Sequence, residues 1–297
     1  MSLFKKKTTL VHHITYMGIM ACINVLFVIL ETYEIAIGAF LLILLLPFIS
    51  TIVSYYCLKR YYIIYAFATF GLCAIFNVSS AIFYIIPALT SGFVVGALLE
   101  RKVNPFWIIL LCTFIEVGFT YAFIPLIKLI SGSETSYIDA LIEFIGLGSF
   151  TYRDEVSNLI IFFIALIQCS LAQFVLLNEI HKLGIEINTG VASFAPYISG
   201  LLASLIIALV LAIVYQPLAF VFVAVSLYFA TFLLADIIMS QKLAIYLILG
   251  GLFIVSFFAF AILYTKIDKP LGMILVIFFP LSVAITSFIN NYLIKKK

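Results

Sequence analysis

Residues Ile187–Asp236 read INTGVASFAPYISGLLASLIIALVLAIVYQPLAFVFVAVSLYFATFLLAD, and only the last of them is charged. Crossing the hydrocarbon of a bilayer takes about 20 helical residues, so this stretch is too long for one crossing and long enough for two. The chain must therefore turn back inside it, and the polar, helix-ending pair Gln216-Pro217 is the expected turn. This stretch predicts a polytopic membrane protein built from helices.

The rest of the chain repeats the pattern of long apolar runs with charges between them. Only 10% of the residues are charged and 66% are hydrophobic, whereas a soluble domain has about 25% charged residues. A second double-length run, Tyr61–Leu99, is expected to break at the polar residues Asn77-Val78-Ser79-Ser80. The sequence predicts an all-α transmembrane bundle of about ten helices. They are expected at about 11–30, 35–58, 61–76, 81–99, 105–129, 156–178, 195–215, 217–235, 243–264 and 271–293.

The placement of the charges predicts an orientation. With ten helices both termini lie on one side, and that side collects twelve of the 16 basic residues. Cytoplasmic loops carry an excess of Lys and Arg, so we expect a multi-pass protein of the cell membrane with both termini in the cytoplasm. The twelve are Lys5, Lys6, Lys7, Lys59, Arg60, Arg101, Lys102, Lys182, Lys242, Lys295, Lys296 and Lys297. The other four, Lys128, Arg153, Lys266 and Lys269, are expected outside.

Several classes of function are not expected. The net charge of +3 comes from lysines that set the topology, so no nucleic-acid partner is predicted. The sequence shows no Gly-rich phosphate loop and no His-Glu-x-x-His, so neither an enzyme nor a cofactor is predicted. The five cysteines form no Cys-x-x-Cys pair and His12-His13 has no third ligand nearby, so no metal site is predicted. The lipid bilayer is the partner that the composition requires.

The longest connection is expected between the fifth and sixth helices, on the outer side. Starting at Ile138, apolar residues recur there at i, i+3, i+4 and i+7, which predicts an amphipathic interfacial helix at about 137–146. This helix is either a lid over a site that opens outward or a connector that covers the bundle. The expected domains are a six-helix bundle over 1–190, which includes this helix, and a four-helix transmembrane extension over 191–297.

One ionisable side chain, Glu116, stands in the middle of a predicted membrane helix. An ionisable group at bilayer depth costs at least about 2.5 kcal/mol on insertion scales, so its presence indicates a function. Thr113 and Thr120 lie three and four residues away and share its helical face. The predicted ligand-binding residues, expected to face the bundle interior, are Glu116, Thr113, Thr120, Asn24, Gln168 and Gln173. The alternative for the amides is interhelical packing, in which each hydrogen bond contributes about 0.6–2 kcal/mol.

A resemblance to a known family is carried by the first half of the chain. The segments Asn77-Val78-Ser79-Ser80, YIIPALTSGFVVG at Tyr84–Gly96 and Glu100-Arg101-Lys102 resemble the middle of the S component of an energy-coupling-factor vitamin transporter. The C-terminal helices, after the linker Leu183-Gly184-Ile185-Glu186-Ile187, resemble the YybS-type family of bacterial membrane proteins, whose N-terminal part is similar to S components. The resemblance covers about residues 10–190.

The residues and the resemblance together predict the binding or transport of a small solute that enters from the outer side. The resemblance implies coupling and ATPase subunits as partners. S components dock the coupling subunit through spaced alanines in their first helix, for which Gly18 and Cys22 are the nearest equivalent here. The alternative is a membrane scaffold or regulator of envelope machinery that transports nothing. A drug/metabolite-type exporter of two five-helix repeats fits the helix number, but it ranks lower because residues 10–130 and 156–293 show no convincing similarity.

Overall fold

The structure is a computed structural model of the 297-residue chain. It describes residues 9–32, 36–131, 142–143, 152–182, 194–239, 243–266 and 277–295. All regular secondary structure in these residues is helical and forms ten long helices. They are α1 (Leu10–Thr32), α2 (Ala36–Tyr56), α3 (Lys59–Phe76), α4 (Val78–Glu100), α5 (Pro105–Ser131), α6 (Arg153–Lys182), α7 (Phe194–Val214), α8 (Gln216–Met239), α9 (Leu243–Lys266) and α10 (Phe278–Lys295).

The two double-length apolar runs turn back where the sequence predicted. Asn77 separates α3 from α4, and its Oδ1 accepts a hydrogen bond from the Ser80 N–H at 3.0 Å, which caps the first turn of α4. Tyr215 separates α7 from α8, and Pro217 stands in the first turn of α8, where its missing N–H removes no helical hydrogen bond. The prediction of an all-helical chain with about ten helices is therefore confirmed for the described residues.

The helix α4 contains a local widening. Residues Ala81–Ile85 form a π-helical turn, which accommodates one more residue than an α-helical turn. Pro87 follows directly and has no N–H with which to continue the α-helical ladder. The part of α4 beyond Pro87 is regular, and it carries the small residues that pack on α2.

The chain divides into two compact units. Unit 1 comprises the described residues of Met1–Ser131 and Ala165–Gly190, and unit 2 those of Gly132–Ile164 and Val191–Lys297. The first part of α6 belongs to unit 2 and its second part to unit 1. The domain boundaries expected from the sequence, with a division after residue 190 alone, stay a prediction.

In unit 1, α2 and α4 cross with their backbones close together. Gly92 and Gly96 are four residues apart on α4 and face Ser50 and Ser54, which are four residues apart on α2. A Cβ added to Gly92 would lie 2.9 Å from the carbonyl carbon of Ser50, and one added to Gly96 would lie 3.0 Å from the carbonyl oxygen of Thr51. The crossing therefore requires glycine, as in other membrane helix pairs that meet through small residues at i and i+4.

The helices α1 and α3 are joined by a buried hydrogen bond. Asn24 Nδ2 donates to the Tyr65 hydroxyl oxygen at 2.8 Å, and the two residues are 0% and 1% exposed. The Ser54 hydroxyl of α2 donates to the carbonyl oxygen of Phe93 on α4 at 3.0 Å. The Tyr62 hydroxyl of α3 donates to the carbonyl oxygen of Leu89 on α4 at 2.7 Å. Polar side chains thus connect all four of the first helices within an apolar core.

In unit 2, α7 and α8 form a tight helical hairpin. A Cβ added to Gly200 on α7 would lie 2.7 Å from the ring of Phe229 on α8. Ser204, Ala208 and Ala212 follow Gly200 at four-residue intervals, and all three are buried. A continuous stripe of small residues on α7 therefore allows the two helices to approach closely.

Six helices in the described part of the chain are long and apolar enough to cross a bilayer, namely α1, α4, α5, α6, α7 and α8. Two shorter apolar segments, Leu45–Tyr56 and Leu243–Ser256, lie in α2 and α9. These lengths and compositions support a multi-pass membrane protein in contact with the lipid bilayer. That all ten helices cross, and that both termini are cytoplasmic, stay predictions.

The predicted interfacial helix at about 137–146 lies outside the described residues except at Ile142 and Glu143. Both are helical, with Ile142 fully buried and Glu143 exposed. This is the side-chain arrangement expected of an amphipathic helix at these two positions. The remainder of that helix, and the choice between lid and connector, stay predictions.

Candidate functional site

Glu116 lies near the middle of α5 and is partly buried. One turn before it, Cys112 and Thr113 are 1% and 0% exposed. The Thr113 hydroxyl donates to the Ile109 carbonyl oxygen at 2.8 Å, and the Thr120 hydroxyl donates to the Glu116 carbonyl oxygen at 2.9 Å. Because the helix backbone takes both hydroxyl protons, these threonines offer a ligand only the lone pairs of their oxygens.

The second half of α6 supplies the side chains opposite. Cys169 lies close enough to the Thr113 hydroxyl and the Glu116 carboxylate to interact with both. One turn further along α6, Gln173 is 3% exposed, and its Nε2 contacts the Cys112 sulfur at 4.0 Å. We refer to Cys112, Thr113, Glu116, Cys169 and Gln173 as the α5–α6 cluster.

The Gln173 amide is incompletely hydrogen-bonded. Its Oε1 is buried and has no hydrogen-bond partner within the described ranges. Turning the amide over would bring the oxygen to the Cys112 thiol and leave the nitrogen unpaired instead, so one polar atom lacks a partner in either orientation. A buried polar atom without a partner costs about 1–3 kcal/mol. A hydrogen-bonding group of a ligand at this position would remove that cost.

The α5–α6 cluster is rich in acceptors. Its polar atoms include the Glu116 carboxylate, the lone pairs of the Thr113 hydroxyl and, in its placed orientation, the Gln173 carbonyl oxygen. Among the side chains that the structure describes, none forms an ion pair with Glu116. The side chain of Lys128 lies outside the described ones. The cluster is therefore suited to a group that donates hydrogen bonds, such as an ammonium or a hydroxyl.

Two of the predicted site residues lie apart from the α5–α6 cluster. Asn24 donates to Tyr65 on α3, and its Oδ1 has no partner among the described residues. Gln168 is partly buried and lies about 140° around α6 from Gln173, so it does not share the face that meets α5. Asn24 thus serves the packing of α1 on α3, which was the alternative interpretation for the amides.

The other four predicted residues are grouped by the structure. Thr113, Glu116 and Gln173 belong to the α5–α6 cluster, and Thr120 follows one turn further along α5. Their role in binding a ligand stays a prediction.

The contribution of the two cysteines was not predicted from the sequence, where the cysteines were considered only as metal ligands. Cys112 precedes Glu116 by four residues, and Cys169 precedes Gln173 by four residues. Residues at i and i+4 lie on the same helical face. This shared spacing is the signal that could have placed both thiols in the site.

A second group of buried polar residues, in unit 2, was also missed. Its members are Ser256 of α9 and Ser282, Thr286, Ser287 and Asn290 of α10. The Ser256 and Ser282 hydroxyls lie 2.6 Å apart, and Asn290 is 5% exposed. The recurrence of Ser282, Thr286 and Asn290 at four-residue intervals was visible in the sequence and marks the buried face of α10.

His13 is buried against Tyr61, with 5.2 Å between the ring centroids. Within the described ranges, no group of three His, Cys, Asp or Glu side chains is placed to hold a metal ion.

The helices place the chain in the class of multi-pass helical membrane proteins, and buried polar side chains of α5 and α6 lie close together in it. Comparison of the chain with protein-family models, with curated proteins and with solved structures found no match. The resemblance to the YybS-type family and to S components therefore stays a prediction.

Proposed function

We propose that the protein binds a small solute at the α5–α6 cluster. The observation that carries this proposal is the buried Gln173 amide, which has one unpaired polar atom within the described ranges and contacts Cys112, one helical turn before Glu116. Asn24 also has one unpaired atom, but it keeps a strong bond of 2.8 Å to Tyr65. The only hydrogen bond of Gln173 within the described ranges is a weak contact of 4.0 Å to sulfur, so the amide contributes little to packing.

The chemistry of the cluster defines the class of solute. The acceptors favour a molecule with an amine or hydroxyl group, because such a group donates to a carboxylate and to an amide oxygen. Apolar helices surround the cluster, so the remainder of the solute is apolar or aromatic. A charge-assisted hydrogen bond to Glu116 would contribute about 1.5–3 kcal/mol to binding.

We further propose that the bound solute is transported across the membrane. Entry from the outer side, and coupling to partner subunits that hydrolyse ATP, follow from the S-component resemblance. Co-purification tests this part separately: a transport module should retain a coupling subunit and an ATPase when isolated gently from its native membrane. Isolation of the protein without them, but with a bound solute, would leave binding intact and contradict the coupling.

The binding proposal is tested with two pairs of variants. Glu116→Gln keeps the shape of the side chain and removes its charge, while Glu155→Gln makes the same change in the first turn of α6. Gln173→Leu removes the unpaired amide, while Gln168→Leu makes the same change on another face of α6. Solutes that co-purify with the protein are identified by mass spectrometry, and their affinities are then measured by calorimetry.

Glu116→Gln and Gln173→Leu should weaken binding at least about tenfold, since each loses one hydrogen bond of about 1.5 kcal/mol or more. The two control variants should bind as the natural protein does. If Glu116→Gln folds normally and binds an amine-bearing solute with unchanged affinity, the ionic role of Glu116 is wrong.

A second function is favoured by a specific observation. Several buried polar groups already pair between helices, such as Asn24 with Tyr65 and Ser256 with Ser282. If the α5–α6 cluster also serves packing, the protein is a membrane scaffold or regulator. In that case no solute co-purifies, and Gln173→Leu lowers the free energy of unfolding because it removes the contact of Gln173 with Cys112 between the two helices. The drug/metabolite-type exporter ranks third.

A further inference from the structure

Two connections of unit 1 meet at one end of its helices and bring four basic residues together. Lys59 and Arg60 begin α3, and Arg101 and Lys102 follow α4. An ion pair of 3.0 Å between Lys59 Nζ and the Glu100 carboxylate holds the two connections side by side. We call these five residues the basic corner. Four cations and one anion leave three positive charges in excess.

The connection between α4 and α5 is held in a defined conformation. The N–H of Arg101 donates to the Leu98 carbonyl oxygen at 3.1 Å, which closes the end of α4. The Asn104 side chain accepts from the Phe106 N–H at 2.9 Å, which caps the start of α5. Basic side chains on this turn are therefore presented from a fixed backbone.

Lys102 has a φ of 54°, the left-handed conformation that glycine usually supplies at the end of a helix. A side chain there strains the backbone, and strain of this kind marks positions where the side chain itself is needed. The chain thus keeps a positive charge at a position where an uncharged glycine would be more stable.

The surroundings of the basic corner are those of a membrane interface. Arg60 and Arg101 are exposed at the helix ends. Trp107, in the first turn of α5, is 58% exposed, and Leu58, which precedes α3, is 47% exposed. Tryptophan side chains in membrane proteins lie at the level of the lipid headgroups. The exposed Trp107 therefore favours a position of the two guanidinium groups at headgroup level, with exposed apolar surface beside them.

We infer that the basic corner binds the phosphate headgroup of an anionic phospholipid, whose acyl chains lie against the exposed apolar residues next to it. Topology signals require only that basic residues occur in the loops. They require neither the ion pair that brings two loops together nor a lysine in a left-handed conformation. Clusters of Lys and Arg next to a membrane helix are the recognised basis of anionic lipid binding. This site is independent of the proposed solute site.

The test uses the purified full chain in zwitterionic detergent micelles. Phosphatidylglycerol is titrated into the micelles, and bound lipid is counted by native mass spectrometry. The test variant is Arg60→Gln/Arg101→Gln, and Arg60→Lys/Arg101→Lys retains the charges. Arg153→Gln serves as the matched control, since it removes an arginine from unit 2. Circular dichroism without added lipid establishes that each variant is folded, and Arg101→Gln alone replaces the double variant if that fails to fold.

Each cation near the headgroup contributes about fivefold to lipid affinity, so the double Gln variant should bind about 25-fold more weakly. Arg101→Gln alone should bind about fivefold more weakly. The double Lys variant and Arg153→Gln should bind as the natural chain does, and phosphatidylcholine should not compete. The inference is overturned if Arg153→Gln weakens binding as much as the test variant. It is also overturned if inorganic phosphate displaces the lipid at equal concentration, because the site would then bind a soluble anion.

Discussion

Gly92→Ala tests the crossing of α2 and α4. The added methyl group would meet the Ser50 side chain and would lie 2.9 Å from backbone atoms of Ser50 and Thr51. Carbon atoms in ordinary contact are about 3.5–4.0 Å apart, so the helices would have to separate by about 0.6–1 Å. Overpacking costs about 1–3 kcal/mol. Because the obstructing atoms include backbone, which cannot rotate away, we expect the free energy of unfolding to fall by about 3 kcal/mol.

Gly71→Ala is the matched control. Gly71 lies on α3, and a Cβ added to it would have no atom within 4 Å. Alanine is a better helix former than glycine by about 0.8–1 kcal/mol. The control should therefore be neutral or more stable than the natural chain, and the two alanine variants should differ by about 3–4 kcal/mol.

The assay is reversible unfolding by SDS in mixed micelles with a mild detergent, followed by far-ultraviolet circular dichroism. If the two alanine variants unfold within about 0.5 kcal/mol of each other, the range of ordinary surface substitutions, then the close crossing of α2 and α4 is wrong.

Double-mutant cycles test which residues form the close contact between α2 and α4. A Cβ on Gly96 would lie 2.5 Å from Ser54 Cβ and 3.0 Å from the Thr51 carbonyl oxygen. Ser54→Gly removes the first obstruction and also the hydrogen bond from the Ser54 hydroxyl to the Phe93 carbonyl oxygen. After the cost of Ser54→Gly alone is subtracted, the cycle should recover most of the stability lost in Gly96→Ala. Ser50→Gly should recover only part of the loss in Gly92→Ala, because the backbone remains 2.9 Å away. Equal recovery in the two cycles would contradict this geometry.

Two further outcomes are expected. Tyr65→Phe leaves the buried Asn24 donor unpaired and should lower the free energy of unfolding by about 1–3 kcal/mol, whereas adding Asn24→Leu removes both partners and should recover part of that loss; strictly additive losses would argue against the hydrogen bond. Orientation is tested in intact cells with single-cysteine variants of the protein whose five natural cysteines have been replaced. An impermeant maleimide should label Ser136→Cys, at a position outside the described residues. It should label Lys297→Cys only after the cells are permeabilised. The opposite labelling pattern would overturn the predicted orientation.

The helices and their breaks could be predicted from the sequence because the bilayer imposes them. Backbone N–H and C=O groups in lipid must form hydrogen bonds within their own segment, so a long apolar run is expected to be helical. For the same reason the polar residues at Asn77 and at Gln216-Pro217 predicted where the two longest runs turn back. Hydropathy alone was enough for these features.

The pairing of the helices could not be predicted in the same way. In a helix that is apolar on every face, hydrophobic and polar residues do not alternate with the helical period, so the sequence does not indicate which side is buried. Asn24 was predicted to bind a ligand together with Glu116, but its strong partner is Tyr65, and nothing in the sequence distinguishes this tyrosine from the others. Gly92 and Gly96 on α4 and Ser50 and Ser54 on α2 are both pairs of small residues in the sequence, but nothing in the sequence says that the two pairs face each other. The face of α5 was predictable for Thr113 and Glu116 only because polar residues there share one side.

The hairpin of α7 and α8 has a consequence for biosynthesis. A single residue, Tyr215, separates the two helices, and no charged residue lies between Ile187 and Asp236 to anchor the turn on one side of the membrane. The two segments must therefore enter the bilayer together, already paired through the stripe that begins at Gly200. A bulky substitution at Gly200 would act during insertion, before the finished protein exists. Its effect would be a fraction of chains in which this region crosses the membrane once instead of twice.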